Sequence, residues 1–185
     1  MRHPSPKLGS WSEPSKLSRL VCLAALLVIA PGCAAAFDGQ TYHGQGFTFQ
    51  VPPPPPEWRR VDATGAALAF EETGSQAQVL VNARCDRDGE DVPLSSLTAH
   101  LFIRFTERTV HSEEVLPFDG REALRTDVTA KLDGVQKRFL VWVLKKDKCV
   151  YDLLYFAAPD RFERGSAAFD NWARNFRALP REVKP

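Results

Sequence analysis

Two Asp-Gly pairs, Asp119-Gly120 and Asp133-Gly134, constrain this chain more than any other feature. Each stands between runs of alternating residues. That is the pattern of a β-hairpin with a two-residue turn, because glycine readily takes the positive φ such turns need. Val110–Phe118 precedes the first pair. Arg121–Leu132 lies between them and alternates Leu124, Thr126, Val128, Ala130 and Leu132. Val135–Lys145 follows, with Phe139, Val141 and Val143 on one face and Leu140, Trp142 and Leu144 on the other. The chain turns at Lys145–Lys148, and Cys149–Ala157 is almost continuously apolar. Strands apolar on both faces belong inside a sheet that is covered on both sides.

The remaining elements surround this meander. In Gly46–Val51, Phe47, Phe49 and Val51 share one face of a half-buried strand. Pro52–Pro56 ends it, since prolines donate no backbone hydrogen bond, and forms a stiff arch that pins Trp58 to the core. Ala66–Glu71 and Ala77–Arg84 read as two further strands joined by a turn at Gly74-Ser75. Leu94, Leu97, Leu101 and Phe105 form an apolar stripe, which predicts a helix over Leu94–Arg108, with Asp91 as a cap and Pro93 in the first turn. A last helix is expected over Asp160–Leu179, with Phe162, Phe169, Trp172 and Phe176 inward, Ser166 as N-cap and a break at Gly165.

Ahead of all this runs a leader. Arg2, Lys7, Lys16 and Arg19 precede the unbroken apolar run Leu20–Ala30. The run is too short for a hydrocarbon core that needs roughly 20 residues, and Pro31-Gly32 breaks it. The segment 1–32 therefore reads as a signal peptide. Ile29-Ala30-Pro31-Gly32-Cys33 resembles a bacterial lipobox, which implies diacylglycerol on the Cys33 thiol and a cut just before it. Ala34 rather than Asp after that cysteine implies outer-membrane sorting in a Gram-negative cell. The alternative is an ordinary cut after Ala34-Ala35-Ala36, which leaves a freely secreted domain. Residues 33–45, rich in Ala and Gly, are expected to be a tether, and 46–180 a single domain.

From Cys33 onward there are 20 Lys+Arg and 22 Asp+Glu, with no basic block, so nucleic acid is not an expected partner. No polybasic stripe serves anionic lipids, and membrane attachment would come from acyl chains. Cys85 and Cys149 remain after processing, each at the end of an expected strand. We read them as a structural disulfide in an oxidising compartment; two buried thiols, or a reactive or metal-binding pair, are the other readings.

Gly46-Phe47-Thr48-Phe49-Gln50-Val51-Pro52 running into Glu57-Trp58, with Phe176 before Arg177-Ala178-Leu179 at the close, resembles the PsbP-like and DcrB-like domains. The resemblance covers about Phe47–Leu179. It implies an α+β fold in which an antiparallel β-sheet is flanked by helices, the PsbP-like α/β/α sandwich. It also implies accessory or binding modules rather than enzymes, and brings no catalytic residues.

The residues point the same way. No serine elbow, P-loop or His-Glu-x-x-His is present, and His43, His100 and His111 are scattered. Asp86-Arg87-Asp88-Gly89 resembles part of a calcium loop but lacks its later ligands and reads as a solvated turn. Asp152, in an apolar strand, is expected to pair with a base such as Arg138. No metal, cofactor or catalytic residue is assigned. The expectation is a non-enzymatic, lipid-anchored envelope lipoprotein that meets an envelope partner. The rivals are a carrier of an apolar molecule or lipid, with a pocket lined by Phe102, Phe105 and Trp142, and a small hydrolase or redox protein using Cys85 or Cys149.

Overall fold

The computed structural model describes residues 36–85 and 92–180. The leader, Cys33, the residues 86–91 with their Asp86-Arg87-Asp88-Gly89 turn and the expected cap Asp91, and the tail 181–185 lie outside them. The chain divides into two units between Gly32 and Cys33, and every described residue belongs to the second.

The expected meander is present. β7 (Thr106–Phe118), β8 (Arg121–Leu132), β9 (Val135–Lys146) and β10 (Cys149–Ala157) are consecutive antiparallel neighbours. β6 (Gln78–Cys85), β5 (Leu68–Glu72) and β4 (Trp58–Arg60) extend the sheet beyond β10 in the order β4-β5-β6-β10-β9-β8-β7. At both Asp-Gly pairs the two central residues take positive φ, 47° and 75° at the first and 50° and 81° at the second. This conformation matches the twist of the strands it joins.

The two faces of β9 enter different cores, as alternation demands. Leu140, Trp142 and Leu144 join one apolar cluster, while Phe139, Val141 and Val143 join the other. α1 (Leu94–Leu101) contributes Leu97 to the second cluster. α2 (Glu163–Arg174) contributes Phe169, Trp172 and Ala173 to the first. The fold is α+β and mainly antiparallel.

Five expectations need correction. The first helix stops at Leu101 rather than Arg108: Phe102, Ile103 and Phe105 make tight turn bonds, and Thr106 already starts β7. The apolar spacing carried on because Phe102 and Phe105 pack against Phe139, with ring centroids 5.2 Å away in each case, and not because the helix continues. The last helix ends at Arg174, and β11 (Arg177–Leu179) follows. Ser166 lies buried inside α2, whose cap position is Phe162. Gly165 does not break the helix: a Cβ there would stand 2.8 Å from the Tyr155 hydroxyl and 3.0 Å from the Glu72 carboxylate, so glycine lets these groups approach.

The fifth correction is the tether. Residues 36–45 carry β1 (Ala36–Phe37) and β2 (Thr41–His43). With β3 (Thr48–Gln50) and β11 they form a four-stranded antiparallel sheet, β1-β2-β3-β11. Asp38 starts the β1–β2 turn by accepting the N–H groups of Gln40 and Thr41, and these bonds lower its pKa. Tyr42, Phe49, Phe176 and Ala178 bring this small sheet into the same cluster as α2. That side of the large sheet thus carries a second sheet as well as a helix, which a plain α/β/α sandwich does not.

The proline arch behaves as expected. The Trp172 indole N–H donates to the Pro52 carbonyl at 2.9 Å, and Trp58 is buried with its ring 5.3 Å from that of Trp172. Aromatic pairs of this kind contribute about 1 kcal/mol beyond burial.

Candidate functional site

In an antiparallel meander alternate turns fall at the same end. The β7–β8 turn and the β9–β10 turn therefore lie together, with the β8–β9 turn at the opposite end. Between the two turns opens a cleft of about 590 Å³, lined by Asp119, Gly120, Arg121 and the run Lys145–Val150. A second depression of about 570 Å³ shares Gly120, Arg121 and Lys145 with it and reaches Leu94 and Glu122.

Cations dominate the lining: Arg121, Lys145, Lys146 and Lys148, against Asp119 and Asp147. Asp119 is engaged. Its carboxylate takes Lys146 Nζ at 2.8 Å and the Ala178 backbone N–H at 2.9 Å, with Arg177 Nε 3.7 Å away. Lys145 Nζ donates to the Val92 carbonyl at 2.7 Å. Among the described residues, Arg121 and Lys148 have no acid partner. Sequence reading missed this group because its members lie far apart along the chain; only the hairpin register brings them together.

Cys149 lines the same cleft. It is the direct cross-strand partner of Cys85 in the β6–β10 ladder, and the two are joined in a disulfide. The bridge closes a separation of 64 residues, worth on the order of 4 kcal/mol in the chain-entropy account.

The structure does not bring the other expected site residues together. Phe102 and Phe105 pack on one face of the sheet and Trp142 on the other, so no pocket unites them. The Trp142 indole instead donates to Asp170 of α2. Asp152 is fully buried and pairs with Arg84 at 2.8 Å, not with Arg138. Arg138 binds Asp127 through two nitrogens, at 2.9 and 2.8 Å, and Glu163 at 2.7 Å. The Asp127 bonds, foremost, raise its pKa further. His111 contacts the Thr129 hydroxyl at 2.7 Å, while His43 lies on β2 and His100 on α1. Among the described residues no three His, Cys, Asp or Glu side chains gather to hold a metal ion.

A second polar cluster is buried where α2 begins. Ser75 donates to the Glu72 carboxylate and accepts the Ala77 N–H at 3.1 Å, while the Tyr155 hydroxyl donates to the Phe162 carbonyl at 3.1 Å. Burial pushes the Tyr155 hydroxyl up to about 12, and the Glu72 charge adds to the shift. The cluster fastens α2 to the sheet.

The fold these elements define is PsbP-like. No protein-family model matches the sequence, and no curated protein matches it. Solved structures do match. The cyanobacterial PsbP protein CyanoP from Synechocystis aligns with a TM-score of 0.50 at 15% identity, covering 80% of this chain and 98% of that one. LpqN from Mycobacterium tuberculosis, described as involved in cell envelope biogenesis, aligns with a TM-score of 0.55 at 12% identity, covering 75% and 88%. A Pseudomonas aeruginosa protein of unknown function, described as a putative regulator, aligns at 0.50 and 12% identity, covering 77% and 97%. At these identities the likeness is one of fold.

Proposed function

We propose that this chain is a lipid-anchored accessory protein of the cell envelope that works by binding and not by catalysis. The observation that carries the reading is the combination of a PsbP-like fold, shared with an envelope-biogenesis protein, and a leader that ends in Ile29-Ala30-Pro31-Gly32-Cys33. Diacylglycerol on Cys33 would hold the domain at the membrane, and Ala34 directs it to the outer membrane with the domain facing the periplasm. The oxidising periplasm suits the Cys85–Cys149 bridge. The apolar interior is occupied by its own rings, which leaves the surface to meet a partner.

The test is the intact mass of the mature protein, wild type against Cys33→Ala. A diacylglyceryl mass present in the wild type and lost in the variant is expected. An unmodified N-terminus at Phe37 in both would overturn the anchor and leave a freely secreted domain.

A further inference from the structure

Three two-residue turns join the strands of the meander, and they invite comparison. The first two are Asp-Gly. The third is Asp147-Lys148, with φ of 51° and 63°. Glycine takes this left-handed backbone freely, whereas a side chain there costs roughly 1 kcal/mol. The chain thus places a cation, against local preference, at one of the two turns that line the cleft, while the other, Asp119-Gly120, keeps its glycine. Across from it stands Arg121, and neither has an acid partner among the described residues. Lys146 is held by Asp119 and Lys145 by a carbonyl, so both stay fixed beneath them.

The cleft also lies near the start of the domain. Asp119 holds the N–H of Ala178 on β11. Ala178 pairs with Phe49, Phe49 with Tyr42, and Tyr42 with Phe37 on β1. Three strand spacings put β1 about 14 Å from β11. Cys33 is three residues ahead of Ala36, a reach of at most about 11 Å. A lipid on Cys33 therefore keeps the bilayer surface within a few nanometres of the cleft.

We propose that the cleft takes the phosphate of an anionic phospholipid headgroup between Arg121 and Lys148, in the membrane that carries the anchor. The proposal rests on the lipoprotein reading for its location. A cation near an anionic surface contributes about fivefold in affinity.

The test uses the protein as its cell exports it, purified and mixed with vesicles of phosphatidylcholine alone or of phosphatidylcholine with phosphatidylglycerol. An acyl anchor contributes equally to both, so the ratio of the two affinities reads the cleft. We expect a clear preference for anionic vesicles, reduced at least about 25-fold in Arg121→Glu/Lys148→Glu. Lys148→Gly, which suits the turn and preserves folding, should reduce it about fivefold. No preference, or one that both variants leave intact, overturns the proposal. Saturable binding of inorganic phosphate to the protein alone, lost in Arg121→Glu/Lys148→Glu, together with no preference for anionic vesicles, overturns the headgroup and assigns a soluble phosphate. Protein that lacks the diacylglyceryl mass but keeps a cleft-dependent preference upholds the cleft and separates it from failure of the anchor.

Discussion

Trp142 and Asp170 join the centre of the large sheet to the middle of α2: the indole N–H donates to Asp170 Oδ1 at 3.1 Å. Arg125 Nε donates to the same oxygen at 2.8 Å, and Arg174 lies 4.9 Å above the Trp142 ring. Asp170→Ala leaves the buried Trp142 N–H and the partly buried Arg125 without their acceptor and should destabilise the domain by about 1–3 kcal/mol. Asp170→Asn keeps an acceptor oxygen and should cost less. Urea unfolding of the three proteins checks the order.

Gly165→Ala reverses an ordinary expectation. Alanine inside a helix normally stabilises by about 1 kcal/mol over glycine. Here the added methyl would meet the Tyr155 hydroxyl at 2.8 Å. A lowered midpoint of thermal unfolding is expected, and an unchanged or raised midpoint would show that the cluster yields.

The Tyr155 hydroxyl sets an alkaline limit. Its folded pKa of about 12 lies above the ordinary value of 10.0. The stability it contributes is complete below pH 10 and is lost as pH rises towards 12. Stability should fall across that window, and Tyr155→Phe should flatten the fall. Denaturant midpoints at a series of alkaline pH values measure both slopes.

Removing the bridge with Cys85→Ser/Cys149→Ser should lower stability by about 2–5 kcal/mol. The strands stay paired through the β6–β10 ladder. The expected outcome is a shifted unfolding midpoint with unchanged β-sheet circular dichroism.

Lys148→Gly should stabilise the domain by about 0.5–1 kcal/mol, because it removes a side chain from a left-handed position. Chemical unfolding compared with Gly120→Lys, which should move the other way, checks the assignment to the turn.

The meander was legible because its signals are local. Asp119-Gly120 and Asp133-Gly134 announce their own turns, and the alternation of Phe139–Leu144 names the face of each residue. That same alternation already separates Trp142 from Phe139, and so from Phe102 and Phe105. What was hidden depends on partners remote in sequence. Arg177–Leu179 is too short to show a strand period and is a strand only because β3 lies beside it. Ala36–Phe37 and Thr41–His43 likewise borrow their conformation from neighbours. Asp152 met Arg84 rather than Arg138 because of register: Arg84 on β6 pairs with Val150, two residues from Asp152, whereas Arg138 on β9 pairs with Ala157 at the far end of β10. The cationic cleft needed the hairpin register, since Arg121 and Lys148 belong to different turns.

The pairing of β3 with β11 sets the order in which the domain can be completed. Thr48–Gln50 near its start waits for Arg177–Leu179 at its end, and Trp58 and Pro52 wait for Trp172. A ribosome releases the first of these long before the last. The nascent chain has no finished small sheet until Arg177–Leu179 has emerged, so the strands at the start of the domain stay without their last neighbour while everything between is made.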